Sequence, residues 1–143
     1  MLKRLALASL LLWPLSASAQ VNQVAPIPAG AQVVPLTFDA TGTTGQIAAT
    51  FTKAAGKFTY ICGFLITSGQ TTVQTTVDAT ITGLVGGTKT FAYVFPSSGQ
   101  GVLGVAFPGC ITSSAKNTSI IVNVPASGGA GTAGSVSAWG YTN

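Results

Sequence analysis

The chain has 143 residues, a formal net charge of +4, no histidine, and charged side chains at only 6% of positions, against about 25% in an ordinary soluble domain. Beyond residue 19 the charged residues are Lys53, Lys57, Lys89, Lys116, Asp39 and Asp78, far from the basic stripe that nucleic-acid binding needs. The hydrophobic fraction of 47% argues equally against disorder, which couples low hydrophobicity to high charge.

Residues 1–19, MLKRLALASLLLWPLSASA, read as a secretory signal peptide. Lys3 and Arg4 open it, Leu5 to Trp13 form an apolar run, and Ala17-Ser18-Ala19 gives an A-x-A processing site. The apolar run is shorter than the roughly 20 residues that span a bilayer, and no cysteine follows the processing site to carry a lipid. The expectation is a secreted chain (periplasmic, cell-surface or extracellular) without a stable membrane anchor. Removing the leader leaves about 124 residues, one domain's worth.

Residues 20–32, QVNQVAPIPAGAQ, form a separate stretch. Pro26 and Pro28 block ladder hydrogen bonds and favour polyproline geometry. Two readings stand, a loose tail or an extended arm that docks on a partner.

From residue 33 to 143 every segment reads as strand or turn. Val33–Phe38, Gln46–Thr52 and Phe58–Thr67 come first. Thr72–Thr82 has the cleanest period of two, with Val73, Val77, Ala79 and Ile81 on one side and Asp78 among threonines on the other. Thr88–Phe95 aligns Phe91, Tyr93 and Phe95 as a core stripe. Val102–Phe107 leads through a Pro108-Gly109 turn to Cys110, and Thr118–Val124 sets Ile120, Val122 and Val124 opposite Ser119, Ile121 and Asn123. Ser135–Thr142 closes the chain after a Gly/Ala/Ser loop. About eight short strands with Gly-rich turns predict an all-β fold, a single antiparallel β-sandwich or jelly roll.

Cys62 and Cys110 are the only cysteines. In an exported chain one disulfide is the default reading, with two buried thiols or an intermolecular link as alternatives. A bridge from mid-strand Cys62 to a strand end would brace two sheets, closing a loop worth about 4 kcal/mol in the chain-entropy model. No metal is expected, because two cysteines, no histidine and two carboxylates do not make a zinc site. No cofactor is expected either.

The motifs that suggest chemistry lack its context. Asp39 and Asp78 are the sole acids, and nothing forces them within the 5–10 Å or so that a glycosidase pair needs. Gly129–Gly134 fits G-x-G-x-x-G, yet a strand follows it where a dinucleotide site requires a helix. Asn117-Thr118-Ser119 matches a glycosylation acceptor and matters only in a eukaryotic secretory pathway. Trp139 and Tyr141, at i and i+2, share a strand face. Either Trp139 belongs to the core, the usual fate of a large aromatic, or the two rings form a platform for a sugar or a protein partner.

Tyr60-Ile61-Cys62-Gly63-Phe64 and Ser137-Ala138-Trp139-Gly140-Tyr141 resemble segments of small, exported, Thr/Gly/Ala-rich β proteins of unassigned function, encoded by proteobacteria and sometimes by their phages. The resemblance covers roughly residues 58 to 143 and rests on short motifs. It implies an extracytoplasmic or virion-associated β domain and carries over no catalytic residue.

The functional expectation is a non-enzymatic structural or interaction protein that packs with copies of itself or with another surface or particle protein. Sheets that stay monomeric guard their edges with charge, whereas Gln70–Val77 and Val102–Ala115 contain none. The alternative is a carbohydrate-binding module that stacks polysaccharide on Trp139 and Tyr141.

Overall fold

A computed structural model describes residues 34–42, 45–126 and 133–143. The expected leader (1–19), the expected Pro-containing arm (20–32) and most of the Gly129–Gly134 motif lie outside them. The described residues form eight strands and no helix: β1 Val34–Gly42, β2 Ile47–Phe51, β3 Thr59–Ser68, β4 Thr75–Thr82, β5 Lys89–Phe95, β6 Gly101–Thr112, β7 Ile120–Val124 and β8 Gly134–Thr142.

Strand pairing follows one rule. β1 pairs with β8, β2 with β7, β3 with β6 and β4 with β5, all antiparallel. The first half of the chain thus runs against the second, like one long hairpin. Rolling that hairpin adds the β3–β8 and β4–β7 contacts and yields two four-stranded sheets, β1-β8-β3-β6 (sheet A) and β2-β7-β4-β5 (sheet B). This is a β-sandwich with jelly-roll strand order.

The core lies between the sheets, filled from alternate positions as period-two patterning requires. Sheet A contributes Ile61, Phe64, Ile66, Val136 and Ala138; sheet B contributes Phe51, Ile81, Ile120, Val122 and Val124. Two edge-to-face aromatic pairs tie the layers: Phe38 on Phe51 at 5.1 Å and Phe64 on Phe91 at 5.3 Å between ring centroids. The stripe expected of β5 does pack inward, with Tyr93 and Phe95 buried and Tyr93 donating a 2.7 Å hydrogen bond to Ser68 Oγ.

Three local expectations need correction. Val73 is 70% exposed and stands outside β4, which begins at Thr75. The Val73 carbonyl accepts the hydroxyls of Thr71 (2.6 Å) and Thr75 (3.2 Å), side-chain bonds that compete with a ladder. Pro108-Gly109 does not end a strand, since β6 continues to Thr112. The first strand does not stop at Phe38, since β1 continues to Gly42 and so includes Asp39, opposite Ser137.

The disulfide also differs from expectation in what it joins. Cys62 and Cys110 are bonded, with Cα atoms 4.1 Å apart, but they link neighbouring strands of sheet A and not the two sheets. Both lie at a register break. Ile61 opposes Ile111 and Gly63 opposes Ala106, so Cys62 alone faces the four residues Phe107 to Cys110. On its other side Cys62 has no partner at all, because Ile61 opposes Gly140 and Gly63 opposes Trp139. This bulge shifts the alternation by one, so Ile61 and Phe64, three residues apart, both reach the core.

Candidate interaction surface

The bulge decides what the outer face of sheet A presents. Opposed residues in an antiparallel ladder share a face, and the registers define rows that run from β1 through β8 and β3 to β6. One row is Thr37, Trp139, Gly63 and Ala106; the next is Asp39, Ser137, Leu65 and Gly104; the third is Thr41, Ser135, Thr67 and Val102. The β1–β8 half is mostly polar. The β3–β6 half is not: Leu65 is 37% exposed and Val102 65%, with Gly104 and Ala106 open between them.

Trp139 joins that apolar half. Its indole lies across Gly63, where a Cβ would fall onto ring atom Cζ2 and within 2.7 Å of Cε2. The next residue, Gly140, turns inward, where a Cβ would strike the Tyr60 carbonyl. Tyr141 returns to the outer face and stacks on Tyr60, centroids 4.5 Å apart and planes 14° from parallel.

The two expected contact residues therefore share a face but differ in access. Trp139 is 40% exposed and is not a core residue, whereas Tyr141 is only 7% exposed. Burial raises the Tyr141 phenol above its usual pKa, and the neighbouring Tyr60 adds to the rise. The open surface is thus Trp139 with Leu65, Val102 and Ala106. Alternate spacing on β3 and β6 carried the signal for the last three, but only the bulge fixes which alternate set points outward.

The outer face of sheet B contrasts with this. Thr76, Asp78, Thr80 and Thr82 of β4 lie beside Thr90, Ala92 and Val94 of β5 and Ile121 and Asn123 of β7, a hydroxyl-rich surface in which Val94 is the one large apolar side chain exposed, at 41%. Asp78 stands there while Asp39 stands on sheet A, so the two carboxylates are on opposite faces of the sandwich. They form no acid/base pair. Among the described residues no three potential metal ligands cluster.

An open hollow of about 700 Å³ lies where β1, β3 and β8 meet, lined in part by Thr41, Thr67, Ser68, Gln100 and Ser135. Thr67 and Ser135 hydroxyls there are 2.7 Å apart. Among the described residues that line it, none is titratable.

The glycosylation-type Asn117 has a structural task. Its backbone is left-handed (φ 59°), its Oδ1 accepts from Gly56 N–H at 2.7 Å, and its own N–H donates to Lys57 O at 3.0 Å. It latches the β2–β3 turn to the turn before β7. Lys116 beside it stands 5.9 Å from the Phe58 ring centroid, a cation–π contact.

In comparison with known proteins, no family model, no curated protein and no solved structure matches this chain.

Proposed function

We propose that this chain is a non-enzymatic, extracytoplasmic structural or interaction protein, a sandwich that associates with copies of itself on a cell surface or on a particle such as a virion. The observation that carries the reading is the apolar half-face of Trp139, Leu65, Val102 and Ala106. Contiguous exposed apolar surface on a soluble domain marks a contact site. The dispersed ionisable groups point the same way, offering surface and no reacting centre. The Cys62–Cys110 bond is compatible with an oxidising compartment outside the cytoplasm. Jelly-roll order occurs in capsid and lectin domains alike, and a fold alone does not choose between them.

Sedimentation of the exported protein over a concentration series tests the reading. A mass that rises with concentration, and falls back when Leu65→Glu is introduced, supports it. One-subunit mass at every concentration counts against it. Deleting residues 20–32 adds a second arm: weaker association without them identifies them as a docking arm.

The exposure of Trp139 favours one further reading, a carbohydrate-binding module. An indole backed by the sheet at Gly63 is held still, and an aromatic ring fixed this way can stack on a sugar. That reading expects a shift in Trp139 fluorescence on adding a soluble polysaccharide, and retardation in a polysaccharide-containing native gel that is retained in Trp139→Tyr and lost in a folded Trp139→Ala protein. An emission spectrum that ignores a panel of polysaccharides would remove it.

A further inference from the structure

Four strands end the two sheets: β1 and β6 in sheet A, β2 and β5 in sheet B. An edge strand leaves a row of backbone donors and acceptors free to pair, and proteins blunt such rows with charge, brevity or cover. β1 carries Asp39 near its middle, β5 opens on Lys89, and β2 is five residues long. β6 has twelve residues and no charge.

Part of β6 is accounted for. Val85 N–H donates to Thr112 O at 2.9 Å and Leu84 bridges Ser113, which covers one end. At the other end Gly101 is packed so tightly against the Val94 carbonyl and the Tyr93 hydroxyl that a Cβ would lie 2.8 and 2.7 Å from them. The Phe107–Cys110 bulge interrupts the ladder beyond Ala106. Among the described residues, Val102 to Ala106 have a ladder partner on the β3 side only. This run is uncharged, and the Cys62–Cys110 bond a few residues on ties β6 to β3.

We infer that β6 is a self-pairing seam, where Val102–Ala106 of one copy runs antiparallel to the same residues of a second copy. The inference rests on the self-association proposed above and names its contact. Charge selects the partner. A two-fold antiparallel contact brings residues near the axis against their own kind, so pairing through β1 would set the two Asp39 carboxylates close together and pairing through β5 would place a Lys89 at each end of the seam, whereas β6 opposes nothing charged.

Register follows from the faces. A two-fold axis through the ladder keeps outer face beside outer face only when it passes through a residue, and Gly104 is central. Gly104 then opposes Gly104, Val102 opposes Ala106 and Leu103 opposes Val105. The two A sheets become one of eight strands, and the apolar half-faces of both copies join across the seam.

The test is a charge exchange at the axis. A Cβ at Gly104 would meet only Leu65 Cδ1, at 3.5 Å, so a longer side chain fits on the open face. Gly104→Lys and Gly104→Glu should each weaken self-association at least tenfold at low salt, measured by sedimentation. An equimolar mixture of the two should pair Lys copies with Glu copies and recover the wild-type mass, which also reports that both variants are folded. Thr90→Lys, on β5 of the other sheet, should leave association unchanged. If both Gly104 variants associate as the wild type does, the seam is wrong while self-association stands. The same holds if association survives both charges but disappears with residues 20–32, which would assign the contact to the arm. A wild-type chain that remains a single subunit throughout overturns the seam and the functional reading together.

Discussion

The Trp139 indole occupies the place where Gly63 would carry a side chain. The two residues oppose each other across the β8–β3 ladder, one step from the Cys62 bulge. A methyl at residue 63 must displace the indole, and it also lies 2.7 Å from the Val105 carbonyl on the other side. Backbone cannot yield as a side chain can. Gly63→Ala should therefore cost about 1–3 kcal/mol, the usual range for overpacking, and shift Trp139 emission to the red as the ring lifts into water. An unchanged melting temperature would mean that the ring moves aside freely.

Loss of the disulfide should act on stability far more than on shape. Its 48-residue separation places the chain-entropy contribution near 4 kcal/mol, and measured losses usually fall at about 2–5 kcal/mol. The Cys62→Ser, Cys110→Ser double variant is thus expected to melt on the order of 10 °C lower with an unchanged far-ultraviolet spectrum. The bridge also holds Cys110 at φ 44°, a left-handed conformation that non-glycine residues resist by about 1–2 kcal/mol. Releasing it lets the β6 bulge relax, which recovers part of the loss. Equal melting temperatures for oxidised and reduced protein would contradict this account.

The strands were legible because period two and turn residues are local signals. Each of the eight expected segments overlaps its strand, and those for β2, β4, β5 and β7 contain it, while β1 and β6 run four and five residues beyond the expected ends. What local pattern does not carry is which strand lies beside which. The Cys62–Cys110 bridge was expected to span two sheets because a mid-strand cysteine and one past a turn look remote; the 1·8, 2·7, 3·6, 4·5 pairing makes β3 and β6 neighbours. The same gap hid the reason for two short motifs. Cys62-Gly63 and Trp139-Gly140-Tyr141 are one joint seen from two strands, with Gly63 receiving the indole and Gly140 clearing the Tyr60 carbonyl. Trp139 could be read as core or as platform from spacing alone, since either face of a strand presents i and i+2 together. Burial of the alternate residues Val136 and Ala138 turns it outward.

Asn117 offers a test of a polar latch. Asparagine tolerates the left-handed region better than most residues, and its Oδ1 satisfies Gly56 N–H. Asn117→Ala loses both and should destabilise the domain by about 1–2 kcal/mol. Asn117→Gly keeps the backbone conformation but not the side-chain bond, and should lie between the two. If alanine and glycine prove equivalent in a urea titration, the hydrogen bond alone matters and the conformation contributes nothing.

Two tyrosines set an alkaline limit on the fold. Tyr93 is buried and bonded to Ser68, and Tyr141 is stacked under cover on Tyr60. Both phenols are raised above 10.0, chiefly by burial, which the Ser68 bond partly opposes at Tyr93. A raised phenol pKa means that the folded state keeps its proton when the unfolded state has released it. Stability should therefore be complete below pH 10 or so and decline as pH rises from there through the folded values. Phenolate absorbance and loss of structure should appear together for these two residues, because neither can ionise in place without solvent. Tyr141→Phe removes one ionisable group and keeps the ring stack on Tyr60, so its alkaline midpoint should move up relative to the wild type while its neutral-pH stability changes little. A midpoint that stays put would show that Tyr141 ionises within the intact fold.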